Sequence, residues 1–164
     1  AITGGSAGAH LSTLAALTPN DPVFQRGFED ADTSVDTAVP FYGVYDGTNR
    51  TDAWRPDFER FLRLGVLHPD VEDPRSVREQ ASPMTHVRPD AVPFFFVHGD
   101  NDSLAPVADA RAMVERVRAV SEAPVGYLEL PGAQHAFDLF ASERTTAVVH
   151  GVGEFLEQMR SHTT

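Results

Sequence analysis

A chain of 164 residues, 41% hydrophobic and 23% charged, has the make-up of one globular domain able to bury a core. Its formal net charge of −11 argues against an electrostatic surface for nucleic acid or anionic membrane, which needs clustered basic side chains. The absence of cysteine excludes a disulfide framework, a thiolate metal site and a cysteine nucleophile, and no apolar run approaches the roughly 20 residues that cross a bilayer.

The first stretch, Ala1-Ile2-Thr3-Gly4-Gly5-Ser6-Ala7-Gly8-Ala9-His10-Leu11, reads as strand, sharp turn and helix with Ser6 at the apex. Gly4-x-Ser6-x-Gly8 fits the nucleophile elbow, in which a strained turn lifts a serine above the carboxyl end of a parallel sheet. Both glycines are expected to prevent collisions where strand and helix crowd together. The backbone N–H of Ala7, at a helix N-terminus, would face a substrate carbonyl as it gains negative charge. Two rival motifs fail: Ser6 stands where a dinucleotide fingerprint needs its second glycine, and no lysine follows Gly8 as in a phosphate loop. With no initiating methionine and a start inside an apolar strand, the sequence is expected to continue upstream.

Ala7, Leu11, Leu14, Ala15 and Thr18 fall at helical spacing until Pro19-Asn20-Asp21-Pro22 stops them. His10, in the first turns, is expected to pack or cap. Residues 20–35 are polar and acidic and read as a surface loop. The apolar run from Thr37 to Tyr45 predicts a strand covered on both faces, in which Pro40 demands a bulge or an early position. Residues 48–86 are too long for a simple connection and mix charges with Trp54, Phe58, Phe61, Leu62, Leu64, Val66 and Leu67. They predict two helices, Arg55 to Leu64 and Pro74 to Gln80, and an insertion acting as a cap, the second helix reading equally as ordinary crossover packing.

Pro93 to Gly99 is the clearest buried strand, and it runs into Asp100-Asn101-Asp102-Ser103, where open α/β sheets place their chemistry. A calcium-loop reading fails because Leu104 and Ala105 occupy positions needing an oxygen ligand and a glycine. Pro106 opens a helix with one apolar face, Ala110, Met113, Val114 and Val117. Val125 to Pro131 predicts the last strand and delivers His135 in the loop Gly132 to Phe137. Val148, Val152, Phe155, Leu156 and Met159 predict a closing helix.

Strands alternating with helices imply a parallel sheet with right-handed crossovers, so every strand-to-helix loop lies on one edge. Ser6, Asp102 and His135 each occupy such a loop, in the chain order Ser, Asp, His. Asp100 is the rival to Asp102, although loop aspartates more commonly accept backbone N–H groups. His98 reads as strand-end packing and Asp138 as a helix-start residue.

Carried by the segments Gly4 to Leu11, His98 to Pro106 and Gly132 to Phe137, the chain resembles the C-terminal part of an α/β-hydrolase, close to the hormone-sensitive-lipase-like esterases and carboxylesterases. The resemblance implies one α/β domain over 1–164 holding the fifth to eighth strands of that sheet, four mainly parallel strands with flanking helices, and a cap contribution from 48–86 over an acyl pocket. It implies a small-molecule ester substrate, Ser6 as nucleophile, His135 as general base, Asp102 as its acid partner and the Ala7 N–H as oxyanion donor, with neither cofactor nor metal.

Two departures stand out. Gly5 occupies the place where many of these esterases carry an acidic residue, and the His-Gly-Gly-type oxyanion loop, upstream of the elbow in the family, is absent from these residues. The expected function is therefore ester hydrolysis through an acyl-enzyme, weak or lost in these residues alone. Its alternatives are amide or formamide hydrolysis at the same triad, and a non-catalytic partial domain that associates through an exposed sheet edge with a second copy or with an upstream part.

Overall fold

The computed structural model describes residues 1–66 and 74–162. Four strands, β1 (Ile2–Gly5), β2 (Ala38–Phe41), β3 (Phe94–Gly99) and β4 (Val125–Leu130), form one parallel sheet in the order β1-β2-β3-β4. Helices α1 (Ala7–Leu17), α2 (Pro56–Phe61), α3 (Pro74–Ala81), α4 (Val107–Val120) and α5 (Glu143–His162) flank it. The α/β class, the parallel sheet and its four strands agree with the sequence reading.

Each strand steps one place across the sheet in the same direction, and right-handed crossovers then gather the connecting helices on one face. That face buries Ala16 and Leu17 of α1 and Met113 and Val117 of α4 against Phe94 and Phe96. The intervening residues of β3 point the other way, as the two-residue period of a strand requires. There Val97 packs with Val148 and Val152 of α5, and Phe95 lies 5.1 Å from Phe155 between ring centroids.

The expected strand from Thr37 to Tyr45 stops at Phe41, because Tyr42 adopts a left-handed φ of 41° that no ladder can continue. Pro40 sits inside β2 without a bulge, paired in register with Gly4 of β1. Its missing N–H falls between two bonds to β3, Ala38 N to Pro93 O at 3.0 Å and Tyr42 N to Val97 O at 2.8 Å. The expectation of a bulge or an early position is thus corrected: the sheet accepts one missing rung in an interior strand.

Within 48–86, α2 runs into a π-helical turn over Leu62–Val66, and α3 is followed by a 3-10 turn over Pro83–His86. Both predicted helices are present. Trp54 is buried with its ring 5.4 Å from Phe58, whereas Phe61, Leu64 and Val66 are exposed. The second segment is bonded to the loop after β2 through Gly47 N to Ser82 Oγ at 2.7 Å and Met84 N to Tyr45 O at 3.0 Å. Residues 67–73, including Leu67, lie outside the described residues, and the cap role of 48–86 stays an expectation. No described helix is long and apolar enough to cross a membrane.

Candidate active site

Ser6 follows β1 directly with φ 56° and ψ −119°, a conformation that costs a non-glycine residue about 1–3 kcal/mol. Its neighbours hold it there. The Ser6 N–H donates to Phe41 O at 3.0 Å, and its carbonyl accepts from Ala9 N at 3.0 Å and His10 N at 3.1 Å, starting α1. A Cβ on Gly4 would stand 2.4 Å from the carbonyl carbon of Gly8, so strand and helix cross backbone to backbone. The steric expectation for Gly8 itself is corrected, since a Cβ there meets nothing within 4 Å. Ala7 is the first residue of α1, so its N–H belongs to the helix-end donors without an intrahelical partner.

The loops after β3 and β4 are laced together. Asp100 N donates to Leu130 O at 3.1 Å, Asn101 N to Ala133 O at 3.2 Å and Ser103 N to Gln134 Oε1 at 3.2 Å. A Cβ on Gly99 would lie 2.2 Å from Ala133 O, so this approach requires glycine at the end of β3. Asp100 has the expected backbone role: it is exposed, and its Oδ1 accepts from Gly132 N at 2.6 Å.

The Asp102 side chain is fully buried. Its Oδ1 accepts from Leu104 N at 2.9 Å and Ala105 N at 2.8 Å, while Oδ2 accepts from His135 Nδ1 at 2.7 Å. Burial on its own would raise this carboxyl, but His135, His98 and the two backbone N–H groups prevail and hold it well below the usual carboxylate range. With Nδ1–H committed to a carboxylate, the other ring nitrogen of His135 can accept from Ser6, whose Oγ lies 2.9 Å away. Ser6, Asp102 and His135, drawn from loops up to 129 residues apart, thus form a continuous relay, with Ala7 at its serine end. Such a relay can raise the nucleophilicity of a hydroxyl by accepting its proton as it attacks.

His98 packs as expected, fully buried at the end of β3, with Nε2 2.9 Å from Ala105 O. The same nitrogen lies 3.4 Å from Asp102 Oδ2, a contact the sequence reading did not foresee. Its signal was present, because a histidine ending a buried strand must find polar partners, and Asp102 follows four residues later. His10 donates from Nδ1 to Val44 O at 2.8 Å, and burial lowers its pKa despite that bond. Asp138 corrects its expectation: α5 begins only at Glu143, and Asp138 Oδ1 instead accepts the Tyr42 hydroxyl at 2.5 Å. Among the described residues no three His, Asp or Glu side chains are grouped as a metal ion would need.

The family described as BD-FAE matches residues 1–117, which include Ser6 and Asp102 and end before His135. The chain belongs to the BD-FAE family. This BD-FAE chain is 55% identical over 163 residues to a Mycobacterium tuberculosis protein named probable carboxylic ester hydrolase LipM, covering 97% of the chain and 37% of that relative. It is 46% identical to esterase LipC of the same organism, covering 97% of the chain and 40% of LipC. The chain therefore spans about two fifths of the length of these relatives. Among solved structures, Thermogutta terrifontis esterase 2 phosphonylated by sarin aligns with TM-score 0.79 at 22% identity, over 96% of this chain and 55% of that one. A truncated carbohydrate esterase from gut microbiota aligns with TM-score 0.73 at 22% identity, over 97% of this chain and 59% of that one. At that identity the likeness bears on architecture, and it agrees with the α/β-hydrolase fold read from the BD-FAE sequence.

Proposed function

We propose that this chain carries the catalytic centre of a carboxylic ester hydrolase acting through an acyl-enzyme. The observation that carries the reading is the relay Ser6 Oγ, His135 Nε2, His135 Nδ1, Asp102 Oδ2, with contacts of 2.9 and 2.7 Å. The names of the relatives as esterases support it.

Ser6 Oγ attacks the ester carbonyl carbon while His135 Nε2 takes the hydroxyl proton. The resulting oxyanion accepts from the Ala7 N–H at the start of α1. Collapse of the intermediate breaks the bond to the alcohol oxygen, which leaves with the proton from His135. Water then attacks the acyl carbon, again giving its proton to His135, and releases the carboxylic acid and Ser6. Asp102 stays ionised throughout, fixes the tautomer and stabilises the imidazolium.

A single oxyanion donor is worth about 2.7–4 kcal/mol. The 164 residues contain no His-Gly-Gly segment to add donors, so they are expected to hydrolyse esters weakly by themselves. We further propose that β1, at one edge of the sheet, pairs with another strand through its outer side, supplied by a longer form of the chain or by a second copy.

The test uses the longest natural polypeptide containing this chain, assayed with p-nitrophenyl butyrate. Ser6→Ala should abolish hydrolysis, and a fluorophosphonate probe should label a single serine that mass spectrometry places at Ser6. Hydrolysis surviving in Ser6→Ala, or label elsewhere, overturns the reading.

A further inference from the structure

Each of the four parallel strands ends on one cluster. β1 delivers Ser6, β3 the turn holding Asp102, β4 the loop holding His135, and β2 delivers Tyr42, which the reaction scheme leaves unused. Tyr42 is buried, follows Phe41 directly and holds a φ of 41°, a conformation unusual for a bulky side chain. Its hydroxyl donates to Asp138 Oδ1 at 2.5 Å across 96 residues. Its ring stands edge-on to His135, with centroids 4.8 Å apart, and edge-on to Phe137 at 5.7 Å. One side chain thus touches the imidazole and binds the carboxylate three residues beyond it. Ala136, next after His135, also holds a left-handed φ, of 54°. Gly5 also adjoins Tyr42, and a Cβ there would lie 2.7 Å from the tyrosine hydroxyl.

We propose that Tyr42 and Asp138 form a latch that positions His135. The hydroxyl–carboxylate bond retains the left-handed turn at Ala136, the Tyr42 ring is the wall that orients the imidazole toward Ser6, and Gly5 keeps the hydroxyl's place open. Both are positioning residues, because neither bonds to the Ser6 oxygen. Tyr42 does not serve as an acid to the leaving group: its proton is held by Asp138, and burial followed by Asp138 keeps its pKa raised. The inference rests on the reading of Ser6 and His135 as nucleophile and base. It also gives the glycine before the serine a role, since a Cβ at position 5 would have to displace the Tyr42 hydroxyl from its place.

The experiment takes the longest natural polypeptide and compares Tyr42→Phe, Asp138→Ala, Asp138→Asn, Gly5→Ala and the pair Gly5→Ala with Tyr42→Phe. Tyr42→Phe and Asp138→Ala should each lower kcat for p-nitrophenyl butyrate by up to about 100-fold, the cost of misplacing a reacting group by about 1 Å, with little change in KM. Asp138→Asn, which keeps an oxygen acceptor, should recover most of the rate. Gly5→Ala should match Tyr42→Phe, and combining the two should cost no more than either alone, the signature of a shared device.

A second readout needs no turnover. The low-field NMR resonance of the His135 Nδ1 proton should be sharp in the wild type and broadened by solvent exchange in Tyr42→Phe. If the wild type hydrolyses the ester but Tyr42→Phe leaves both kcat and that resonance unchanged, the latch is overturned and the ester hydrolase reading stands. If the wild type fails to hydrolyse the ester, that reading falls, and the resonance alone decides the latch: broadening supports it, and an unchanged line overturns it.

Discussion

Asp102 and Asp100 stand two residues apart in one turn and face different partners, the first His135 and the second the N–H of Gly132. Asp102→Asn keeps an oxygen for the backbone of Leu104 and Ala105 but removes the charge that holds His135 as an Nδ1–H donor. It should lower kcat by on the order of 10⁴-fold, whereas Asp100→Asn should leave kcat within about threefold, less than 1 kcal/mol of barrier; steady-state kinetics on p-nitrophenyl butyrate separates them. A second carboxylate sets a pH dependence of stability. Asp109 of α4 is buried with its Oδ2 2.6 Å from Tyr45 N, and burial pushes its pKa up to about 6 from 3.8, against the pull of the Tyr45 and Asp46 N–H groups. A raised native pKa means that its contribution is complete below pH 3.8 and is lost as pH rises through about 6, roughly 3 kcal/mol for a shift of this size. Asp102 has the opposite sign: its pKa is lowered, so its contribution is present above the ordinary carboxylate range and is lost as pH falls. Urea denaturation of wild type and Asp109→Asn should therefore show the variant gaining relative stability from pH 4 to pH 7.5. A pH-independent difference would contradict the assignment.

The loops depend on elements that meet closely. Gly99→Ala would drive a Cβ into Ala133 O and separate the loop of Asp102 from that of His135. It should destabilise by about 1–3 kcal/mol, as overpacking does, and reduce kcat by more than 10²-fold, as a misplacement of about 1 Å does; thermal unfolding and kinetics on one sample test both. How much of this was legible follows from the range of each signal. The apolar run Pro93 to Gly99 and the spacing of Met113, Val114 and Val117 are local patterns, and β3 and α4 appear where those patterns put them. The places of Ser6, Asp102 and His135 in the loops after β1, β3 and β4 were likewise legible, because each loop follows its strand immediately. Tyr42 was not. Residues 42 to 45 are apolar because Tyr42 and Tyr45 bury their rings against His135 and Phe96, and a ring buried in a loop looks in sequence like one buried in a strand. Asp138 was misread for a related reason: its partner lies 96 residues away, and nothing in its neighbourhood distinguishes it from a helix start. Pro40 misled in the other direction, since the chain tolerates the loss of one rung where β2 is paired on both sides.

For the whole molecule, the net charge of −11 makes two copies repel, while a strand at the edge of the described sheet, as β1 is, can template a further strand. If the edge pairing proposed above operates between copies, analytical ultracentrifugation of the 164-residue chain should show an associated species that grows with added salt as repulsion is screened. A compact monomer at every salt concentration would rule it out. The gap at Pro40 has a consequence at the same scale. It lies in the seam, β2 against β3, that parts Ser6 and Tyr42 from Asp102 and His135, so Ser6 rides on one lobe and its two relay partners on the other. A fluctuation that widens this seam would uncouple the relay without unfolding either lobe. Native-state hydrogen exchange should then report two opening units, β1 with α1 and β2 in one and β3 with α4 and β4 in the other.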